Sequence, residues 1–311
     1  MNIIEKVFIT STSELLYAKV LLKNLSKRYK IKNFDFLEIA IMEIGTNILK
    51  HAKKGEIWFI DEFGYLAIVG LDRGRGIRDI EWALKRETSS LKDSLGIGLY
   101  TLKSNLDYYF NIFSINKNSI LHSGTVVGLF NFQNREIYLN DAFYENYSGD
   151  FFVKKDKFSF FADVSGHGIK AYKSAKKIKE FFLKKDIDCD NIDEFFKQLD
   201  TFIKKENLRS LVGVVFKEER VFNFCGVGNV SFFVNKKLFS FAQGVIGEVF
   251  DKSKKITTKE DDIILISDGI DIKLFLELLN YNIDKTLLPF CAVWFCGVDD
   301  DKSIFIRREN V

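Results

Sequence analysis

Hydrophobic periodicity in the first quarter of the chain constrains the fold more than any other feature. Apolar side chains recur at helical spacing over 36–52, which predicts a helix with one buried face. The runs 56–63 and 65–71 follow, hinged at Gly64, and have the composition of two strands. The apolar face of the helix and one face of the sheet are expected to pack against each other. This half is therefore predicted to be a layered α+β structure. The stripe consists of Leu37, Ile41, Ile44 and Ile48.

The other elements of this half fit the same layers. Ser11 and Glu14 predict a capping box at the start of an earlier helix. A further helix is predicted to start near Gly98, and two closing strands are predicted over 109–115 and 125–132. Together these elements predict helices laid against antiparallel strands.

The second half has a different order of elements, with strands dominating. Strands are predicted over 136–143 and 158–164, followed by amphipathic helices over 169–185 and 192–205 and then short strands. A short helix, 271–280, precedes two last strands. The simplest way to bury the apolar faces of these elements is to pack strands on strands with flanking helices, which predicts a β-sandwich. The 311 residues therefore divide into predicted domains 1–134 and 135–311.

Charge and cysteine usage limit the classes of partner and the compartment. The net charge of +3 is the remainder of 46 basic and 43 acidic side chains, which is too balanced to indicate binding to nucleic acid or to a membrane surface. No apolar run approaches the roughly 20 residues that cross a bilayer, and the N-terminus lacks the order of a secretory signal. None of the four cysteines forms a CxxC pair. Buried free thiols in a reducing cytoplasm are the favoured interpretation over a metal site.

Glu43 and Asn47 lie four residues apart and therefore share one face of the predicted second helix. Asparagine is a mediocre residue for a helix interior, so its presence there needs a reason. An exposed polar pair is the simple explanation when these two residues are considered alone. Three glycine-containing stretches point instead to a ligand, since glycines let a ligand approach the backbone and helix starts suit phosphate oxygens. These stretches are Asp72-Arg73-Gly74-Arg75-Gly76-Ile77, Leu95-Gly96-Ile97-Gly98-Leu99 and Gly124-Thr125.

In this order and spacing, the stretches resemble the GHKL (Bergerat-fold) ATPases, and within them the anti-sigma-factor serine kinases of the RsbT and RsbW type. The resemblance covers about residues 3–132 and implies a Bergerat-type α/β sandwich, with helices on one face of a mixed sheet, that binds ATP with Mg²⁺. By resemblance, Asn47 ligates Mg²⁺, Glu43 is the general base for the attacking hydroxyl, and Asp72 binds the adenine amino group. The same resemblance implies further nucleotide-binding residues: Gly74, Gly76, Gly96, Gly98 and Thr125.

Two alternatives concern this half. Arg73 and Arg75 flank the glycines and either touch phosphate or are exposed. The histidine-kinase branch of the same superfamily needs a phosphoacceptor histidine upstream of the site, but no histidine precedes Glu43. Autophosphorylation in that layout is therefore not expected.

Four acidic stretches stand out in the second half. Aspartates just past strands are often turn residues, which is the simple explanation for any one of them. Several that converge could instead hold hard divalent cations, which prefer oxygen ligands. The stretches are Gly149-Asp150, Ala162-Asp163-Val164-Ser165-Gly166-His167-Gly168, Ser267-Asp268-Gly269 and Asp299-Asp300-Asp301.

Over about residues 136–309, these stretches, with Gly226 to Asn229 and Gly244 to Gly247, resemble the PPM-type metal-dependent serine/threonine phosphatases of the SpoIIE and RsbX-like branch. The resemblance implies a PPM-type β-sandwich with two Mn²⁺ or Mg²⁺ ions. By resemblance, Asp163 bridges both metals, and Asp150 with the Val164 carbonyl completes the shell of one. Asp268 and Asp300 hold the other, with Asp301 as the alternative to Asp300 because three consecutive aspartates blur the register.

His167 is a candidate acid for the leaving serine oxygen, and its alternatives are a supporting hydrogen bond or loop packing. His51 and His122 have no such neighbours and are expected to be structural.

Together the two resemblances imply a bifunctional partner-switching regulator. A kinase module would phosphorylate a STAS-domain protein of the anti-sigma-antagonist type, and the phosphatase would remove phosphate from it or from a relative. One alternative makes the N-terminal domain a nucleotide-gated module that sequesters a sigma factor or recruits the phosphatase. A pseudoenzyme scaffold is a third hypothesis. The sequence leaves the oligomeric state open.

Overall fold

The computed structural model describes residues 1–85, 98–116, 119–143, 147–185, 187, 192–219, 221–260 and 262–307. Contacts divide the chain into two compact units. The first contains residues 1–134 and 280–295, and the second contains residues 135–279 and the chain from Cys296 onward. Residues 280–295, which the sequence assigns to the second domain, thus lie in the first unit. The described residues include no helix that is both long and apolar enough to cross a membrane.

The first unit contains ten named elements before residue 134, together with a helix from the distal part of the chain. In chain order these are β1 (Asn2–Ile9), α1 (Thr12–Leu25), α2 (Phe34–Asn47), a π-helical turn (Ile48–Ala52), β2 (Gly55–Glu62), β3 (Tyr65–Asp72), α3 (Ile80–Ala83), α4 (Gly98–Ser104), β4 (Tyr109–Ile115) and β5 (Gly124–Phe130). The predicted capping box is present at the start of α1, where Ser11 and Glu14 satisfy each other's backbone N–H groups.

The second unit is made mainly of strands. Its elements are β6 (Glu136–Asp141), β7 (Phe151–Lys155), β8 (Phe158–Val164), α5 (Gly168–Lys184), α6 (Ile192–Lys205), β9 (Leu211–Lys217), β10 (Phe222–Val227), β11 (Ser231–Val234), β12 (Lys237–Phe239), β13 (Lys254–Thr258), β14 (Ile263–Ile266), α7 (Ile272–Leu278) and β15 (Lys302–Arg307). Between α7 and β15 lies α8 (Leu288–Cys296), of which all but the last residue belongs to the first unit.

The sheet of the first unit has the order β1-β2-β3-β5-β4, and every neighbouring pair is antiparallel. The antiparallel strands predicted from the sequence elements are therefore confirmed, whereas the mixed sheet implied by the Bergerat resemblance is wrong. The central pair, β2 and β3, is joined by Phe63 and Gly64, both with positive φ (56° and 84°). Such two-residue turns match the twist of antiparallel strands, which favours a hairpin at this position.

Helices cover both faces of this sheet, so the prediction of helices on one face was also wrong. α1 and α2 pack against alternate side chains of the strands, among them Phe59, Ile68 and Leu129. On the opposite face, Trp58 and Phe130 contact Phe290 of α8. The sequence predicted strands after α7 because a short apolar run does not distinguish a buried strand from a buried helix.

Two five-stranded antiparallel sheets form the second unit, with orders β13-β10-β9-β8-β7 and β12-β11-β14-β15-β6. Side chains from both sheets share one core, in which Phe216, Phe224 and Phe305 take part. α5 and α6 cover the first sheet from its other side, and Phe275 of α7 packs against Phe233 of the second. The prediction of strands packed on strands with flanking helices is confirmed, and the α+β class holds for the whole chain.

Candidate functional sites

In the first unit, the structure brings Glu43 of α2 against the first residue of α4. A methyl group in place of the Gly98 hydrogen would collide with the Glu43 carboxylate, so the two residues are in contact. Asn47 is the last residue of α2, directly before the π-helical turn. π-Helical turns inside or beside α-helices are often found at functional sites, because they redirect side chains. Glu43, which lies one helical turn before Asn47, is therefore placed beside the start of α4.

Asp72 ends β3 and lies opposite Thr125 of β5 in the sheet register. Its carboxylate accepts a hydrogen bond of 2.7 Å from the backbone N–H of Gly74. Burial raises the pKa of Asp72, and backbone hydrogen bonds from Gly74 and Thr125 oppose that rise. A half-buried carboxylate of this kind is stabilised by a further donor, such as the amino group of a ligand.

The glycines of this loop are needed for close packing. Gly76 has a φ of 72° and lies against the backbone carbonyl of Ile115, where a side chain would collide. Gly74 lies within reach of Ala52 and of the Asp72 carboxylate. Gly96, the remaining predicted glycine, lies outside the described residues.

The arginines of the loop differ in their surroundings. Arg73 donates a hydrogen bond to the backbone carbonyl of Trp294, and its guanidinium lies over the rings of Trp294 and Phe295. Arg73 and Arg75 are both exposed, which is one of the two alternatives that the sequence left open. Trp294 was not among the predicted site residues, although its indole N–H donates to the Asp72 carbonyl at 2.9 Å. No local pattern in the sequence signals this contact.

In the second unit, Asp150, Asp163 and Asp268 come from three separate places along the chain and influence one another. Asp150 directly precedes β7, Asp163 lies near the end of β8, and Asp268 follows β14. Burial, and then the negative charge of Asp268, raise the pKa of Asp163 to about 8. Burial, and then the charge of Asp163, raise the pKa of Asp150 well above 3.8. The Asp163 carboxylate therefore lies beside both Asp150 and Asp268.

The donor set of this cluster fits divalent cations. Asp150 is 4% exposed, and one of its carboxylate oxygens has no hydrogen-bond partner. Buried carboxylates that repel one another are stabilised by a hard cation, for which oxygen is the preferred ligand. Within the described part of the chain, no three His, Cys, Asp or Glu side chains already form a ready-made metal site.

The Val164 carbonyl belongs to the same cluster. A methyl group at Gly149 would stand 2.8 Å from the Val164 oxygen, so glycine at position 149 permits a close approach of the two backbones. This packing places Asp150, the next residue, beside the end of β8. The predicted partnership of Asp150 with the Val164 carbonyl is compatible with this arrangement.

Asp300 and Asp301 have opposite surroundings. The two oxygens of Asp301, which is 3% exposed, accept hydrogen bonds from the backbone N–H groups of Phe143 (2.8 Å) and Gly149 (2.7 Å). Asp300 is partly exposed, and its negative charge contributes to the raised pKa of Asp163. The geometry therefore favours Asp300 over Asp301 as a metal ligand.

His167 directly precedes α5 and lies at the edge of the cluster. Its Nδ1 is 3.8 Å from Oδ1 of Asp300, and its ring packs edge-on against Phe143 at 5.6 Å. Both the catalytic role and the packing role predicted for His167 are compatible with these contacts.

Supporting side chains of the cluster were missed as functional residues. Asn229 donates from Nδ2 to Oδ2 of Asp268 at 3.3 Å, and Asn140 donates to the backbone carbonyl of Asp150 at 2.8 Å. Asn229 belongs to a stretch that the sequence singled out, whereas Asn140 lies within a strand and carries no local signal.

No protein-family model matches this sequence, and no curated protein matches it either. Among solved structures, RsbX in complex with magnesium is similar to this chain, with 18% identity, a TM-score of 0.42, and coverage of 63% of this chain and 98% of RsbX. The SiaA-PP2C domain of Pseudomonas aeruginosa has 14% identity, a TM-score of 0.45, and coverage of 57% and 86%. The catalytic domain of PstP, in complex with two manganese ions, has 10% identity, a TM-score of 0.43, and coverage of 55% and 96%. At these TM-scores the similarities carry no inference about activity, which rests on the residues themselves.

Proposed function

We propose that the second unit is a metal-dependent phosphatase of phosphoserine and phosphothreonine in proteins. The observation that carries the proposal is the convergence of Asp150, Asp163 and Asp268, whose mutual repulsion raises the pKa values of Asp150 and Asp163. Asp150 is buried, Asp163 is half-buried and Asp268 is exposed, and gathering these three carboxylates at strand ends is costly without a cation. Two Mn²⁺ or Mg²⁺ ions would remove that cost.

The residues of the chain have separate tasks in this proposal. Asp163 would be shared by both ions, Asp150 and the Val164 carbonyl would hold one of them, and Asp268 and Asp300 would hold the other. When bound, the ions supply Lewis acidity and lower the pKa of water, as in other two-metal sites.

His167 is the proposed proton donor to the leaving serine oxygen. Since its Nδ1 faces Asp300, we assign the donated proton to Nε2. The alternative role for His167 is packing of the loop against Phe143.

Dephosphorylation of a phosphoserine protein in the presence of Mn²⁺ tests the phosphatase. We expect Asp163→Asn to lose activity at least about 100-fold, since it removes the shared ligand. Asp251→Asn is the matched control, because Asp251 is an exposed aspartate of the same unit. Equal rates for the wild type and Asp163→Asn would refute the assignment, and failure to bind Mn²⁺ or Mg²⁺ would favour a pseudoenzyme scaffold.

We further propose that the first unit binds ATP with Mg²⁺ and transfers phosphate to serine or threonine. The contact of Glu43 with Gly98, and the half-buried Asp72 beside Thr125, support this assignment. In this proposal Asn47 would hold Mg²⁺, Glu43 would accept the proton of the attacking hydroxyl, and Asp72 would accept a hydrogen bond from the adenine amino group. Phosphoryl transfer depends mainly on positioning and charge neutralisation, which these groups supply.

Phosphate transfer from ATP to a candidate partner protein tests the kinase, with Glu43→Ala as the variant that removes the base. Loss of transfer with retained ATP binding supports catalysis by Glu43. ATP binding without transfer by the wild-type protein favours the alternative, in which this unit is a nucleotide-gated module that sequesters a sigma factor or recruits the phosphatase.

The two activities on one chain suit a partner-switching regulator of a STAS-domain phosphoprotein, since linkage raises their effective concentration at a shared partner. A STAS-domain protein with one phosphorylatable serine, and its Ser→Ala variant, test this proposal. Both activities should require the same serine. Activity on unrelated phosphoproteins at equal rates would contradict a dedicated partner.

A further inference from the structure

Two residues distant in sequence meet at the loop proposed to bind adenine. The indole N–H of Trp294 donates a 2.9 Å hydrogen bond to the backbone carbonyl of Asp72, across 222 residues of sequence. The guanidinium of Arg73 lies 5.1 Å from the centroid of the Trp294 ring and donates to the Trp294 carbonyl. The peptide that carries Asp72 is therefore held on both sides by one segment, residues 280–295.

That segment is anchored firmly on the sheet of the first unit. Phe290 is fully buried and contacts Trp58 and Phe130, with ring centroids 6.3 and 5.6 Å apart. Phe295 packs edge-on against Phe113 at 6.0 Å. A helix that is apolar on all sides, like α8, has to be buried by contacts of this kind.

A second anchor is polar. The hydroxyl of Tyr109 in β4 donates to Asp284 at 2.9 Å. Because these anchors lie on β2, β4 and β5 of the sheet that also carries Asp72, the segment with α8 has a defined position relative to Asp72.

We propose that Trp294 and Arg73 are positioning residues of the nucleotide pocket, and that residues 1–134 alone do not complete it. This inference rests on the proposed nucleotide-binding function of the first unit. Trp294 orients the peptide group of Asp72 by donating a hydrogen bond to the Asp72 carbonyl oxygen. The backbone N–H of Gly74 orients the Asp72 carboxylate through a hydrogen bond of 2.7 Å. A hydrogen bond to a ligand demands a carboxylate held within a fraction of an ångström, so loosening the peptide weakens recognition of the adenine amino group.

Trp294→Phe in the full-length chain tests the proposal, because phenylalanine keeps an aromatic ring for Arg73 and removes the N–H donor. Trp82→Phe is the control, since Trp82 lies on α3 and is 50% exposed. We expect the dissociation constant of Mg²⁺-ATP to rise roughly 10-fold in Trp294→Phe, which corresponds to the loss of one hydrogen bond. Trp82→Phe should bind ATP like the wild type, and Mn²⁺-dependent phosphatase activity should be unchanged in both variants.

The preference for ATP over GTP distinguishes positioning from mere structural support. Only ATP offers an amino group at this position of the base, so a loosened Asp72 weakens ATP binding more than GTP binding. A general loss of stability would weaken both nucleotides alike. Arg73→Lys, which loses the planar stack and keeps the charge, is the second variant and should shift the preference in the same direction.

These measurements distinguish a failure of the positioning role of Trp294 and Arg73 from a failure of the proposed nucleotide binding. If Trp294→Phe and Arg73→Lys both bind ATP with wild-type affinity and preference, while Asp72→Asn does not bind, the positioning role is overturned and the nucleotide site stands. If the wild-type protein binds no nucleotide, the proposed function of the first unit fails, and the positioning role fails with it.

Discussion

The buried carboxylate of Asp301 accepts a 2.7 Å hydrogen bond from the backbone N–H of Gly149, the residue before Asp150. The other oxygen of Asp301 accepts a hydrogen bond of 2.8 Å from the backbone N–H of Phe143. Asp301 therefore holds two backbone N–H groups in place beside the acidic cluster. The neighbouring Asp300, partly exposed, points instead toward His167. Two adjacent aspartates therefore have different physical roles, one in shaping the site and one at its surface.

Substitution of the two aspartates should separate stability from metal affinity. Asp301→Ala leaves two backbone N–H groups without their acceptors, which we expect to destabilise the protein by about 2 to 4 kcal/mol. Asp300→Asn should leave the free energy of unfolding within about 0.5 kcal/mol of the wild type, as for other surface substitutions, and should weaken Mn²⁺ binding. Urea denaturation and calorimetric titration with Mn²⁺ measure the two quantities. The reverse pattern would assign metal ligation to Asp301.

Metal binding should stabilise the fold through the same carboxylates. With Mn²⁺ at about 100 times its dissociation constant, linkage predicts a gain of about 2.7 kcal/mol in the free energy of unfolding. Asp150→Asn should lose most of this gain, and in EDTA it should be at least as stable as the wild type, because it removes a buried charge. Thermal melts with Mn²⁺ and with EDTA provide the measurement, with Asp251→Asn as the control. A full Mn²⁺-dependent gain in Asp150→Asn would argue against ligation by Asp150.

Asp72 should make the nucleotide-free protein less stable as the pH rises. Burial raises the pKa of Asp72 above its usual 3.8, so the folded protein binds this proton more tightly than the unfolded chain does. The stabilising effect of protonation is present below the ordinary pKa and is lost as the pH rises through the raised value. The Asp72→Asn variant should lack this dependence. Urea unfolding at several pH values from about 4 to 7 compares the slopes, and parallel curves would contradict the prediction.

The described cysteines should react slowly with thiol reagents in the native protein. Burial raises the pKa of the Cys225 thiol to about 11, so almost none of it is thiolate near neutral pH. Cys291 and Cys296 are fully buried. In a Cys189→Ser variant, labelling with a thiol-reactive dye should be at least about 10-fold slower than in urea, because it requires opening of the fold. Fast labelling of the folded protein would contradict the burial of these residues.

The sequence alone determined the features that depend on local chemistry. Capping by Ser11 and Glu14, the apolar stripe of α2, and the hairpin at Gly64 follow from side-chain spacing and backbone preference within a few residues. The positions of Asp150, Asp163 and Asp268 at strand ends were likewise visible, and the structure brings these residues together. Their roles as ligands, like those of Glu43 and Asn47, remain predictions.

The tertiary structure decided the features that depend on distant partners. Residues 288–296 are apolar without a period, so only the aromatic face of the first sheet could determine that they form a helix packed against Trp58 and Phe130. Three consecutive aspartates are equivalent in sequence, and they differ because the N–H groups that bind Asp301 lie more than 150 residues earlier in the chain. Local propensity acts over a few residues, whereas burial and hydrogen bonding between remote segments exist only once the chain has folded.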